Sequence, residues 1–453
     1  MAVSFIQQPT LLINPAYSDI VYTVQNGQTA QFYHKYLLEV YVSDGNTTTK
    51  IATLKASANE ALNGIFNISN VLQDYCATDI DGYPSATGGS STLNGVGADV
   101  TQHAVHKIDA YANNKSNLKL FYVKASEEYA TTADGIVTVQ PFNAISLRKL
   151  VWNAVDQHEN GFETFNAYDY VLSADTKKLL TGFADTINRK LRKTDYHTLA
   201  FFNGKFGSAV AQQSLPDKFS IKFYNDAGAQ QGSTIDVDID ATASNGALTG
   251  AFLNYPTTTN TEVGLVYFGC GGKNITNAGN TIPAAATYYT VQAYNGSTAV
   301  SKAYTFDFID DDCKGFETIR LAYLNRLGAW DYYNFTKKST RTTAIQKGRL
   351  KTNYGTWASD KFSYKTYEAG AGVFSVKSNE TIEANTDFIS EAEATALEEL
   401  FTSPSVFMQN SAGNFEPVVI TESSYTKQTK ANDKVIQYVV GIHKAHNKRI
   451  QRN

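Results

Sequence analysis

The stretch IRLAYLNRLGAWDYYNFTKKSTR at 319–341 constrains the fold of this chain more than any other. Ile319, Leu321 and Tyr323 alternate with Arg320 and Ala322, an apolar period of two that suits a strand half buried on a sheet. Asn325 to Gly328 follows with turn chemistry, and Gly328 can take positive φ without the Cβ clash other residues meet. Trp330 to Phe335 then runs back. The segment predicts an aromatic-rich hairpin, a surface for building and not a reaction centre.

The same alternation recurs along the chain, in DIVYTVQ, KYLLEVYVSDG, KIATLKA, LKLFYVKA, KFSIKFYNDAG, STIDVDID, EVGLVYFGC, TYYTVQAYNG and AYTFDFID. Asp44-Gly45 supplies a hairpin turn between two of these runs. With 28 Tyr and 25 Phe against 18% charged residues, the composition fits half-buried pleated surfaces. The expected fold class is mainly β: several fibronectin- or immunoglobulin-like β-sandwich modules in series, with a short helix in the C-terminal domain.

A chain of 453 residues suggests about three domains. Their expected limits are 1–130, an N-terminal sandwich; 131–312, a central β-rich domain with an irregular or helical insertion near 173–195; and 313–453, a C-terminal β-rich domain. A short amphipathic stretch around Ile68, Val71, Leu72 and Tyr75 has helical spacing, and residues 85–99 read as a loop by composition. In the last domain Ser390 and Glu393 form a capping box that opens a helix over 390–402, with Leu397, Leu400 and Phe401 on its apolar face and Pro404 beyond its end. KYLLEVY at 35–41, KFSIKFY at 218–224 and KFSYKTY at 361–367 share an internal echo of Lys, aromatic and Tyr, which either repeated modules or convergent strand chemistry can produce.

FGCGGKN at 268–274 and FTSPSVFM at 401–408, taken with the 319–341 hairpin, resemble the tail-associated structural proteins of phages infecting Bacteroidetes-type bacteria. That resemblance implies a virion protein of the baseplate, tail tip or fibre attachment, assembled in the bacterial host cytoplasm. Its partners would be other tail proteins and further copies of itself around the tail axis. Tyr323, Arg326, Trp330, Tyr332 and Tyr333 are the interface candidates, since Tyr, Trp and Arg are enriched where partners bind most tightly; core burial is the other reading for Tyr323 and Trp330. A head decoration or receptor-binding fibre that holds a host surface glycan on exposed aromatic rings is the alternative. A polysaccharide-degrading tail enzyme comes third.

The remaining residues supply no catalytic, cofactor or metal assignment. Asp236, Asp238 and Asp240 share a strand face, but Ala241 and Ala247 stand where an EF-hand needs Gly and Glu, so charged protection of a sheet edge is expected. Asp310 to Asp312 form a second acidic cluster, expected at a solvated junction. His103 with His106, and His443 with His446, lack completing ligands and read as surface histidines. Cys76, Cys270 and Cys313 are odd in number and far apart, which predicts reduced thiols. Gly272-Lys273 fails the P-loop pattern at Tyr267 and Asn274. The formal charge of −4 removes the global case for nucleic-acid binding. Two basic stretches remain, one at Lys337, Lys338, Arg341, Lys347, Arg349 and Lys351, the other at Arg189, Lys190, Arg192 and Lys193. Docking on acidic neighbours, such as the helix carrying Glu391, Glu393, Glu398 and Glu399, is preferred over DNA contact. There is no apolar run long enough to span a membrane and no signal peptide is recognisable.

Overall fold

The computed structural model describes residues 3–43, 48–78, 111–114, 117–155, 166–202, 204–206, 216–239, 253–255, 265–309, 315–358, 360–368, 370–411, 414–421, 436–446 and 449–452. The fold is mainly β, built of several separate sheets. It divides into two compact units, the first Met1–Ile309 with Leu324–Asp331, the second Asp310–Tyr323 with Tyr332–Asn453. The expected loop at 85–99 and the Asp44-Gly45 turn lie outside the described residues.

The first unit contains two β-sandwiches in series. In the first, strands β1 (Ile13–Pro15), β3 (Phe32–Ser43), β4 (Thr48–Ala56), β6 (Leu118–Ala130) and β7 (Lys149–Trp152) form the larger sheet, in the order β1-β7-β6-β3-β4. The smaller sheet pairs Ser4–Gln7, β2 (Val21–Gln25) and β5 (Asn63–Asn67). Tyr22, Val24 and Phe66 of the small sheet meet Leu38, Val40, Phe121 and Val123 of the large one in a single buried cluster. Helix α1 (Ser69–Gln73) follows β5 and buries Leu72 in the same core. Residues 138–152, placed after the first boundary by the sequence reading, pair with β6 and complete this sheet.

The second sandwich repeats that plan. Its strands are β8 (Arg189–Leu191), β9 (Thr198–Phe202), β10 (Lys218–Tyr224), β11 (Gln230–Asp238), β12 (Leu265–Gly269), β13 (Tyr288–Asn295) and β14 (Tyr304–Phe308). The large sheet runs β8-β14-β13-β10-β11, and β9 pairs with β12 in the facing sheet. In each sandwich the first strand lies parallel to the last, β1 to β7 and β8 to β14, while the remaining pairs of the larger sheet are antiparallel. A helix follows the equivalent strand in both, α1 after β5 and α2 (Gly272–Asn277) after β12. Leu199, Phe201, Val266 and Phe268 pack on Phe219, Ile221, Phe223, Tyr289 and Phe306. Residues 173–188, within the expected insertion, are turns and bends leading to β8 at Arg189.

Two arms of the internal echo fall on the same strand of the two sandwiches. Lys35 to Tyr41 lies on β3 and Lys218 to Tyr224 is β10; Tyr36, Leu38 and Val40 point inward where Phe219, Ile221 and Phe223 do. The outward Tyr41 stacks on its cross-strand neighbour Tyr122 at 5.0 Å, and Tyr224 stacks on Tyr288 at 5.1 Å. The third arm, Lys361 to Tyr367, is not a strand, and its residues form an exposed loop.

The second unit is one sheet with a helix. Strands β15 (Ile319–Leu324), β16 (Trp330–Phe335), β17 (Ser339–Lys351), β18 (Ala371–Asn385), β19 (Val406–Gln409), β20 (Phe415–Ile420) and β21 (Val439–Lys444) run in the order β16-β15-β19-β20-β21-β18-β17, and β22 (Arg449–Arg452) pairs with β18. Helix α3 (Glu391–Thr402) starts where expected: the Ser390 hydroxyl accepts from the Glu393 N–H at 3.2 Å. Its buried face is Ala394, Ala396, Leu397 and Leu400, and the chain turns extended at Ser403 before Pro404.

Candidate functional site

The five interface candidates sit largely inside the chain. Tyr323, Trp330 and Tyr332 are buried. Tyr333 is half-buried and donates from its hydroxyl to Glu393 at 3.1 Å; burial and the Glu393 charge hold that hydroxyl well above its ordinary titration range. Arg326 is half-buried on the hairpin turn, where its carbonyl accepts from the Val155 N–H at 2.7 Å. Aromatic alternation marks strands that must be covered, and here their own chain covers them.

The hairpin itself forms as expected, with Gly328 at φ +72°. Asn325 builds its turn: the side-chain carbonyl accepts from the Leu327 and Ala329 N–H groups, each at 3.0 Å. The turn is then anchored in the first unit. Trp152 donates its indole N–H to the Leu327 carbonyl at 2.9 Å, and Asn117 donates to that of Gly328 at 2.7 Å. Buried Asp331 accepts from the Thr181 hydroxyl at 2.6 Å, the Gly182 N–H at 2.8 Å and the Asn325 amide at 2.8 Å.

The remaining sequence-predicted groups have structural settings. Asp236 lies on β11, the edge of its sheet, and accepts from Lys218 at 2.7 Å and Ser220 at 2.6 Å. Asp238 is exposed on the same strand; Asp240, Asp310 to Asp312, Cys313, His103 and His106 lie outside the described residues. His443 is half-buried on β21 and His446 exposed beyond it. No cluster of three His, Cys, Asp or Glu that could hold a metal occurs among the described residues. Cys76 is buried and its thiol is pushed up to about 12 by desolvation; Cys270 is fully buried. FGCGGKN is a joint in the fold, where the Asn274 side-chain carbonyl accepts from the His197 and Gly271 N–H groups.

A buried carboxylate–imidazole pair was not legible in the sequence. Glu127 accepts from Asn26 at 2.5 Å and meets His34 Nε2 at 3.1 Å. Ninety-three positions separate the two residues, and only the pairing of β3 with β6 brings them together. His34 Nδ1 has no hydrogen-bond partner among the described residues.

The two basic stretches separate in character. Arg189 is buried, over the rings of Phe183, Tyr304 and Phe306, and Arg192 pairs with Asp195 at 2.8 Å. In the other stretch Arg341 bridges Glu317 at 2.6 Å and Glu380 at 2.8 Å, and Lys337 meets Asp387 at 3.0 Å. Lys347, Arg349 and Lys351 stay exposed on β17.

These three cations belong to the most distinctive surface of the molecule. β17 and β18 pair over their whole length, but among the described residues β18 finds its other neighbours, β21 and β22, only from Ser375 onward. Beyond that point they form a two-stranded arm, exposed on both faces. Its tip carries Tyr354, Trp357, Phe362, Tyr364 and Tyr367, exposed by 42, 72, 54, 62 and 77%. The rings are organised: Trp357 meets Phe362 edge-on at 5.4 Å, and Tyr354 meets Tyr364 at 5.8 Å. Gly355, at φ +84°, turns the chain above the Phe362 ring, and its N–H donates to Glu368 at 2.8 Å. Trp357 donates its indole N–H to the Tyr354 carbonyl at 2.8 Å. The arm presents apolar rings and cations to solvent.

No protein-family model matches the chain, and no curated protein matches it either. No helix among the described residues is long and apolar enough to cross a membrane.

Proposed function

We propose that the chain is a non-enzymatic structural protein of a bacteriophage tail, at the baseplate, tail tip or fibre attachment, and that it acts through protein–protein assembly. The observation that carries this reading is the arm of β17 and β18: a cluster of exposed aromatic rings, flanked by Lys347, Arg349 and Lys351, at the end of a ribbon with no covering layer among the described residues. A two-stranded ribbon is marginal alone in water, and large exposed apolar patches mark contact sites. The resemblance of 268–274, 319–341 and 401–408 to tail-associated proteins supplies the setting. Immunogold labelling of purified particles tests it: gold at the tail supports the assignment, and particles without label oppose it.

A second reading rests on the same rings. Trp357 and Tyr367 are the most exposed aromatics of the arm and can stack on sugar rings, which would make the protein a receptor-binding fibre or head decoration. Glycan-array binding lost in Trp357→Ala would favour it.

A further inference from the structure

We infer that the arm docks on a second copy of this chain, its aromatic tip seating on the exposed aliphatic patch of Ile136, Val137, Val139, Ile145 and Leu147 in the first sandwich. This inference rests on the assembly reading above and names the partner of that surface.

Charge argues for a copy as the partner, and against arm-to-arm pairing. The arm, residues 348–374, holds four Lys or Arg against Asp360 and Glu368, a balance of +2, in a chain whose total is −4. The rest of the chain then carries 35 Lys or Arg against 41 Asp or Glu, a balance of −6. Two arms repel each other, whereas an arm and the remainder of another copy attract. In the aliphatic segment Ile136, Leu147, Ile145 and Val139 are exposed by 87, 71, 59 and 56%; Asp134 lies within it, and Lys124, opposite Ile145, and Arg148 border it.

The area is of the right size. The five tip rings and Phe374, itself 44% exposed, present about 700 Å² at roughly 200 Å² per ring, near the ~800 Å² each partner contributes to a stable contact. An arm on one copy and a seat on the next make a heterologous contact, which closes into a ring when its rotation permits and otherwise extends as a filament.

Sedimentation velocity over a concentration series, with full-length chain, tests this. Wild type should associate, and Trp357→Ala/Tyr364→Ala and Ile136→Ser/Leu147→Ser should each weaken association by about tenfold or more, all three keeping one melting temperature. Mixing Tyr367→Cys protein with Leu147→Cys protein under oxidation should yield a disulfide between copies that Tyr367→Cys alone does not form. A monomeric wild type, association unchanged in both double variants, or a cross-link from Tyr367→Cys alone would overturn the proposal. So would tip-dependent binding of a glycan or single-stranded DNA by a chain that does not associate. Particle labelling separates the two readings: a labelled tail with a monomeric chain sinks only the docking, and an associating chain absent from particles sinks only the tail assignment.

Discussion

Tyr41 on Tyr122 and Tyr224 on Tyr288 show how much one side chain contributes in a sheet like this. Both pairs face away from the core and sit directly opposite each other across neighbouring strands. Stacked rings in this arrangement couple by about 0.5–1.5 kcal/mol beyond their burial; a double-mutant cycle with Leu at both members of either pair should recover that coupling, and additive losses would refute it. Asp236 responds to acid. Burial alone would raise its carboxyl, but the hydrogen bonds from Lys218 and Ser220, with the lysine charges, hold it below its ordinary value. A depressed folded value contributes stability above the unfolded value of about 3.9 and loses it as the pH falls further. Asp236→Asn should therefore flatten the melting-temperature curve below about pH 4, and an unaltered acid limb would contradict the pairing. Cys76 makes a sharper test: with its thiol pushed up to about 12 by burial, site-resolved mass spectrometry should find it unalkylated in the native protein at pH 8 and alkylated in denaturant. At this scale the sequence leaves two readings open. Interface and core select the same aromatic types, and of the two readings given for Tyr323 and Trp330 burial within the chain is the one observed, with Tyr332 buried beside them.

Elements were legible wherever their signals are local. The 319–341 hairpin, helix α3 and strands β3 and β10 all follow from period, turn residues and caps within a few positions. KFSYKTY at 361–367 carries the same pattern as two core strands and still forms a loop, because strand formation depends on a partner that alternation cannot specify. Pairing between distant segments was hidden for the same reason, including the His34–Glu127 contact and the return of 138–152 to the first sheet. Gly328 is the element's critical position: its φ of +72° is strained for any other residue, and a Cβ there would run into the Asn153 carbonyl. Gly328→Ala should destabilise by about 3 kcal/mol or more, read by denaturant unfolding, and a loss under about 1 kcal/mol would contradict the anchored turn. The arm should behave in the opposite way. Excising 350–372 and closing β17 to β18 with Asn-Gly removes no buried core, so the melting temperature should stay within about 3 °C; a larger fall would assign the arm to the fold itself.

As a whole, the molecule repeats one sandwich plan and then changes it. The first two sandwiches share strand order, a parallel first and last strand, a helix in the same place and an outward tyrosine stack. The last unit instead extends two strands into an arm that gathers a balance of +2 and, in Tyr367 and Trp357, the two most exposed rings among the described residues. Under the proposed assembly role, the sandwiches would give shape and the arm the contact. The tail assignment requires the chain to be built into particles as a repeated part. Isotope-dilution mass spectrometry of gradient-purified virions measures this directly: the account predicts several copies per particle in a constant ratio to the other tail proteins, and absence of the chain from intact particles would contradict it.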